Sequence, residues 1–108
     1  MDPQLPAIVR TYIDAKNAFD VNVALECFSD DAVVHDEQTD RRGKQDIKRW
    51  LEETINKYHD QLRPIRFTEQ NDTIVLTAEI SGTFDGSPVE LDFHFSLQSG
   101  KILNLSIA

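Results

Sequence analysis

The hydrophobic period of the sequence changes near residue 62, and this change limits the folds open to the chain. Before that point apolar residues recur every three or four positions, as they do from Leu5 to Ile13, which is typical of amphipathic helices. After it, apolar and polar residues alternate over long stretches, which indicates half-buried β-strands. Helices followed by a run of strands predict an α+β domain, with helices on one face of an antiparallel sheet.

Three helices are predicted in the first part of the chain. The first begins after Asp2, a suitable N-cap, and has Pro3 at its first helical position. A second, short helix follows Asp20 and carries Phe28 on its buried side. The third extends from about Lys44 to Tyr58 and has its charged residues on the exposed face.

Five strands are predicted around and after these helices. One short strand, Ala32 to Asp36, precedes the third helix, and Glu37 to Arg42 is expected to be a polar loop. The other four strands are 62–69, 73–84, 89–97 and 101–107. Asp85-Gly86 is a strong hairpin signal, and Gly82 within a strand indicates a bend. A sheet of such long strands twists and can curl around the helices, which would leave a cavity between them.

Composition narrows the class of partner. The 108 residues suffice for one domain, which we expect to span the chain, and the net charge of −8 argues against nucleic acid and anionic membranes. A single cysteine, Cys27, cannot form an internal disulfide. No apolar run approaches the roughly 18 residues of a membrane span, so a cytoplasmic location is expected.

Spaced motifs run through the whole chain. They are Tyr12 and Phe19, then Phe28-Ser29-Asp30-Asp31-Ala32-Val33-Val34-His35-Asp36, then Gly43, Ile47 and Trp50, then Gly82-Thr83-Phe84-Asp85-Gly86, and finally Phe93-His94-Phe95 before Gly100-Lys101-Ile102. In this arrangement the chain resembles the SnoaL-like proteins of the nuclear transport factor 2-like superfamily, which includes the ketosteroid isomerases. The resemblance implies a cystatin-like cone, in which helices fill the concave face of a curved sheet. It also implies a pocket between them and homodimers through the outer sheet face. No cofactor is expected.

The ketosteroid isomerases place a tyrosine on the first helix and a base aspartate where the first strand ends. Tyr12 and Asp36 stand at the matching positions, so the resemblance implies catalytic roles for both. Asp36 also shares the strand parity of Val34, and an apolar wall there would raise its pKa toward that of a usable base. Two alternatives stay open. For Tyr12, the alternative is a core residue whose hydroxyl is hydrogen-bonded to a backbone carbonyl. For Asp36, the alternative is a carboxylate that accepts hydrogen bonds from backbone N–H groups, which would lower its pKa.

Other ionisable residues fit a catalytic site less well. Asp92 matches the second aspartate of the isomerases, but strand alternation places it on the outer face with Glu90 and His94. His35 has the opposite parity to Asp36 and is expected at the surface. Because adjacent strand residues point to opposite faces, these two side chains are poorly placed to share a metal ion.

Three functions follow as hypotheses. The first is an enzyme that binds a small apolar ligand and carries out acid–base chemistry of the isomerase, cyclase or dehydratase type through Asp36. The second is a domain that binds such a ligand without converting it. The third is a non-catalytic homodimerising module whose pocket is filled by its own side chains. Ligand binding requires a cavity of about 300 Å³ or more, the low end for ligand pockets. The residues expected to line it are Val9, Phe19, Phe28, Val34, Ile47, Trp50, Leu51, Phe67, Ile80, Phe93 and Phe95.

Overall fold

Three helices and six strands make up the computed structural model, which describes residues 4–108. The helices are α1 (Ala7–Asn17), α2 (Val21–Glu26) and α3 (Gly43–Tyr58). The strands are β1 (Phe28–Asp36), β2 (Thr39–Arg42), β3 (Gln61–Gln70), β4 (Thr73–Ser81), β5 (Val89–Gln98) and β6 (Lys101–Ile107). The α+β class is therefore confirmed. The expected cap at Asp2 and Pro3 lies outside the described residues, and none of the described helices is long and apolar enough to cross a membrane.

The six strands form one curved, open sheet in the order β2-β1-β6-β5-β4-β3. Neighbouring strands are antiparallel, except that β1 runs parallel to β6. Helix α3 packs against β1, and α1 contacts β3 and β6. The helices therefore cover the inner face of the sheet, and the last strand of the chain joins the first strand to the rest.

The prediction of a polar loop from Glu37 to Arg42 was wrong, because the chain turns back after residue 36 and forms β2. Asp36 pairs with Thr39, and Glu37 and Gln38 between them both have positive φ, at 53° and 64°. Such two-residue turns normally use Asn-Gly or Asp-Gly, so Glu-Gln gives no signal of one. The first strand also begins earlier than expected, at Phe28, which pairs with Ile102 of β6.

The core lies where α1 and α3 meet the sheet. Its fully buried side chains include Val9, Phe28, Val34, Ile47, Leu51 and Phe95. Tyr12 packs edge-on against Phe28 and Phe95, with ring centroids 5.5 and 6.0 Å apart. The spacing of Phe19 suggested that it joins this core, but it does not. It follows the end of α1 with a φ of 58° and is 40% exposed.

Strand alternation separates the two faces of β4 and β5 as predicted. Ile80 and Phe93 are buried on the inner face, whereas Asp92 is exposed on the outer face. There the Thr77 hydroxyl donates a hydrogen bond to Asp92 Oδ1 at 2.7 Å. The outer face is therefore polar and already hydrogen-bonded within itself.

Gly82 lies where the chain leaves β4 and passes the end of α3. A Cβ atom at position 82 would collide with the carbonyl oxygen of Tyr58, so this close approach requires glycine. The next residue, Thr83, donates its backbone N–H to that same carbonyl at 2.7 Å. Phe84 then packs edge-on against the Tyr58 ring, with centroids 5.6 Å apart. The contact fixes two aromatic side chains beside the open end of the cone.

Candidate functional site

A cavity of about 220 Å³ opens to solvent between the helices and the inner face of the sheet. Its apolar wall consists of Leu62, Ile80, Val89, Leu91, Phe93 and Ile107, together with the aromatic residues Tyr12, Trp50, Tyr58 and Phe84. Its polar residues are Lys16, Asp36, Glu37, Thr54 and Asp60. A mostly apolar wall with a few polar groups is the usual form of a small-molecule site.

Asp36 is the last residue of β1 and is half-buried in the cavity wall. Trp50 of α3 donates its indole N–H to Asp36 Oδ2 at 3.0 Å. Burial raises the pKa of Asp36 above its ordinary value, the Trp50 hydrogen bond lowers it by less, and the negative charge of Glu37 raises it again. A hydrogen bond with the Glu37 backbone lowers the pKa, as the backbone alternative expected, but the net shift stays upward. The carboxyl is thus a better proton acceptor than an exposed aspartate, because its charged form is poorly solvated.

Tyr12 reaches the same cavity from α1 and is almost fully buried. Among residues 4–108 its hydroxyl has no hydrogen-bond partner, so the structure does not show the backbone contact expected of a core tyrosine. Burial raises the pKa of Tyr12, and the nearby charges of Asp60 and Asp36 raise it further. The phenol therefore stays neutral and can donate a hydrogen bond to a ligand.

A buried ion pair completes the polar part of the wall. Lys16 Nζ lies 2.7 Å from Asp60 Oδ1, and the two side chains are only 4% and 13% exposed. Lys16 follows Tyr12 by four residues and so lies on the same face of α1. Asp60 lies between α3 and β3. Sequence reasoning missed both residues, although a lysine within the apolar face of the first helix was a signal.

The mouth of the cavity is bridged by one hydrogen bond. The Tyr58 hydroxyl, at the end of α3, donates to Glu37 Oε1 at 2.7 Å. Glu37 belongs to the tight turn between β1 and β2, so this bond ties the turn to α3. It also leaves Asp36 just inside the bridge.

Only three of the eleven residues predicted to line the pocket do so: Trp50, Ile80 and Phe93. The others lie elsewhere: Val9, Phe28, Val34, Ile47, Leu51 and Phe95 in the packed core, Phe19 at the surface and Phe67 half-buried on β3. Periodicity identifies which face of an element is buried, but not whether a helix fills the space above it. The lining residues that the prediction missed are Lys16, Glu37, Thr54, Tyr58, Asp60, Leu62, Phe84, Val89, Leu91 and Ile107.

The cavity does not reach the minimum of about 300 Å³ that ligand binding was expected to require, so this requirement is not met for a drug-sized ligand. Full enclosure of a drug-sized ligand is therefore excluded. An apolar cavity of about 150 Å³ nonetheless suffices for benzene, so a compound with one ring fits. A longer ligand would have to extend through the opening.

His35 lies outside this site. Its side chain is about half exposed, and its Nδ1 contacts Asp40 Oδ1 of the facing strand β2. Within residues 4–108, no three His, Cys, Asp or Glu side chains converge as ligands of one metal ion would.

The amino-acid sequence matches the model of a known protein family. Residues 9–105 match the model of the SnoaL-like domain, which is most of the chain. The chain belongs to the SnoaL-like family. A comparison with proteins of curated function gave no match.

Several solved structures share the fold of this chain. A proposed polyketide cyclase from Sinorhizobium meliloti has 36% identity and a TM-score of 0.94, with 96% of this chain and 95% of that chain covered. A protein with a ketosteroid isomerase-like fold from Catenulispora acidiphila has 16% identity and a TM-score of 0.86, covering 97% and 86%. A proposed polyketide cyclase from Xanthomonas campestris has 19% identity and a TM-score of 0.83, covering 93% and 85%. The last two likenesses bear on the fold alone.

Proposed function

We propose that this SnoaL-like protein binds a small, largely apolar carbonyl compound and that Asp36 moves a proton next to the carbonyl. One observation carries the proposal: a carboxyl with a raised pKa and a tyrosine hydroxyl that has no hydrogen-bond partner among residues 4–108 line the same apolar cavity. A general base requires a pKa close to the working pH, and burial moves Asp36 in that direction. The 36% identity to a proposed polyketide cyclase supports chemistry at a carbonyl.

The reaction begins with the ionised Asp36. Its carboxylate takes a proton from the carbon beside the carbonyl, and the C–H electron pair forms a new C=C bond. The carbonyl oxygen then becomes an oxyanion, to which Tyr12 donates a hydrogen bond. Trp50 donates its indole N–H to Oδ2 of Asp36 and so holds the carboxylate in the cavity wall. Return of the proton to another carbon gives isomerisation. Attack of the enolate carbon on a second carbonyl carbon gives cyclisation: the C=O π bond breaks, and the resulting alkoxide takes the proton from Asp36.

Proton exchange tests this proposal without knowledge of the natural substrate. Cyclohex-2-enone and small cyclic ketones have exchangeable protons whose replacement by deuterium in D₂O can be followed by NMR. We expect the protein to accelerate exchange and Asp36→Asn to reduce the acceleration about hundredfold or more, the usual contribution of a positioned base. The rate should also fall as the pH drops through the raised pKa of Asp36, because only the carboxylate accepts a proton.

Asp92→Asn is the matched control, since it makes the same change on the outer face of the sheet. It should leave exchange unchanged. If Asp36→Asn retains full exchange, the base assignment is wrong. If ketones shift the NMR signals of the cavity residues but no exchange occurs, the protein is a binding domain without this catalysis.

A structural module with a self-filled pocket is the alternative. The unfilled volume of about 220 Å³ argues against it. Homodimerisation through the outer sheet face stays a prediction that either function allows, and light scattering in solution measures it. Because this face carries the Thr77–Asp92 hydrogen bond, an interface there would be polar and wet.

A further inference from the structure

The ammonium group of Lys16 has more donors than the protein satisfies. A lysine ammonium carries three N–H bonds, and among residues 4–108 Nζ has one hydrogen-bond partner, Asp60 Oδ1. The side chain is 96% buried but also lines the cavity. Because a buried donor without an acceptor is costly, the remaining N–H groups require an acceptor, and the cavity is where water or a ligand can supply one.

We propose that Lys16 is the second donor to the ligand oxyanion, that Asp60 positions it, and that the ligand class is therefore small enolisable carbonyl compounds and their phenolate mimics. This inference rests on the proposed function. Tyr12 and Lys16 are one helical turn apart on α1 and line the same cavity, so both can reach one oxygen atom of a ligand. Asp92, the second donor that the isomerase resemblance suggests, faces outward and binds Thr77 instead.

Charge favours this arrangement during the reaction. Before proton transfer the negative charge is on Asp36, and Asp60 balances Lys16. When the C–H bond breaks, the proton forms an O–H bond on Asp36, and the negative charge moves to the ligand oxygen. The Lys16 ammonium, held in place by Asp60, offers its remaining N–H groups where the oxyanion develops. No oxidant or reductant is needed.

The main alternative to an anionic ligand is a positively charged ligand. The cavity wall contains one lysine and three carboxylates, and several aromatic rings. A small ammonium ion could bind to such a wall through carboxylates and ring faces. The two ligand charges predict opposite results in a binding experiment.

The probe is 4-nitrophenol, a one-ring compound whose phenolate absorbs visible light and whose neutral form does not. We expect the wild-type protein to bind the phenolate, so that the pKa of the bound probe falls below that of the free probe. Lys16→Met should weaken phenolate binding at least tenfold. Lys48→Met, which removes the same charge from the exposed surface of α3, should change nothing. Benzylamine should bind more weakly than the phenolate.

Lys16→Met leaves Asp60 buried without its partner, and this change destabilises folded proteins. Two further variants keep the test decisive, with circular dichroism as the check on folding. Asp60→Asn removes the counter-charge but keeps a side-chain oxygen that can accept from the ammonium and hold it in place, so phenolate binding should be equal or tighter. Lys16→Met combined with Asp60→Asn removes both charges and should bind the phenolate weakly, as Lys16→Met does.

Three results would overturn the assignment of Lys16. They are failure of the wild type to bind the phenolate, full phenolate binding by the folded double variant, and preference of the wild type for benzylamine. None of them depends on deuterium exchange. Conversely, exchange that survives Asp36→Asn would refute the base while leaving an anion site at Lys16 intact, so the two failures are distinguishable.

Discussion

The two ends of the cone use the same kinds of residue in different ways. At the packed end Phe95 is fully buried and contacts the Tyr12 ring. At the open end Phe93, two residues earlier on the same face of β5, stacks on Phe95 with ring centroids 6.4 Å apart and forms part of the cavity wall. Sequence alternation is identical for the two residues. The neighbouring elements therefore decide which phenylalanine stabilises the fold and which is available to a ligand.

The largest expected effect tests this contrast directly. Phe95→Ala should lower the free energy of unfolding by about 3–5 kcal/mol, because it leaves a new enclosed space in a packed core. Phe93→Ala should cost about half as much, since the space it leaves joins a cavity that water already enters. Chemical denaturation of both variants measures the difference. Equal losses would mean that the two ends are packed alike.

A smaller effect is expected at the contact between Trp50 and Asp36. Trp50→Phe keeps most of the ring and removes the indole donor, which should cost about 1–2 kcal/mol of unfolding free energy. Because the Trp50 hydrogen bond lowers the pKa of Asp36, its loss should move that pKa further upward. NMR titration of the Asp36 carboxyl carbon gives the pKa in both proteins. A downward shift in the variant would contradict the described geometry.

The smallest effect is expected in the pH dependence of stability. It is tested by substituting two aspartates, Asp36 in the cavity and Asp92 on the outer face. The folded-state pKa of Asp36 lies above its unfolded value, so its contribution to stability is most favourable at low pH and is lost as pH rises through the folded pKa. Asp36→Asn should therefore unfold at a slightly higher temperature than the wild type at pH 7.

This advantage should disappear below about pH 4, where the aspartate is protonated in both states. Asp92→Asn should stay within about 0.5 kcal/mol of the wild type at either pH, as surface changes usually do. Thermal melts at the two pH values measure both variants. A larger pH-dependent change in Asp92→Asn than in Asp36→Asn would reverse the comparison.

Local patterns were sufficient to predict much of the fold. The bounds of β6 are those expected, α3 begins one residue earlier than expected, and the inner and outer faces of β4 and β5 follow the alternation. Strand parity also predicted that the Asp36 side chain points inward, because Asp36 lies on the same side of β1 as Val34. These features are set by residues close together in the sequence, so local sequence patterns are sufficient to predict them.

The unpredicted features depend on contacts between distant residues. Lys16 and Asp60 are 44 positions apart and meet only when the end of α1 lies beside the start of β3, where Asn17 is hydrogen-bonded to Leu62. The second strand, β2, depends on a turn whose residues, Glu37 and Gln38, rarely adopt positive φ. The position of the cavity depends on where the curved sheet separates from the helices, and hydrophobic periodicity does not contain that information.

Within residues 4–108, strands β1 and β2 join β3, β4 and β5 only through β6, the last strand of the chain. Val34 pairs with Leu105, and contacts so distant in sequence slow folding because a long loop must close first. During synthesis, one edge of β1 therefore stays open to other chains until residues 101–107 have left the ribosome and docked. A shortened chain that lacks β6 should aggregate through this edge, and its cavity should lack the wall contributed by Ile107.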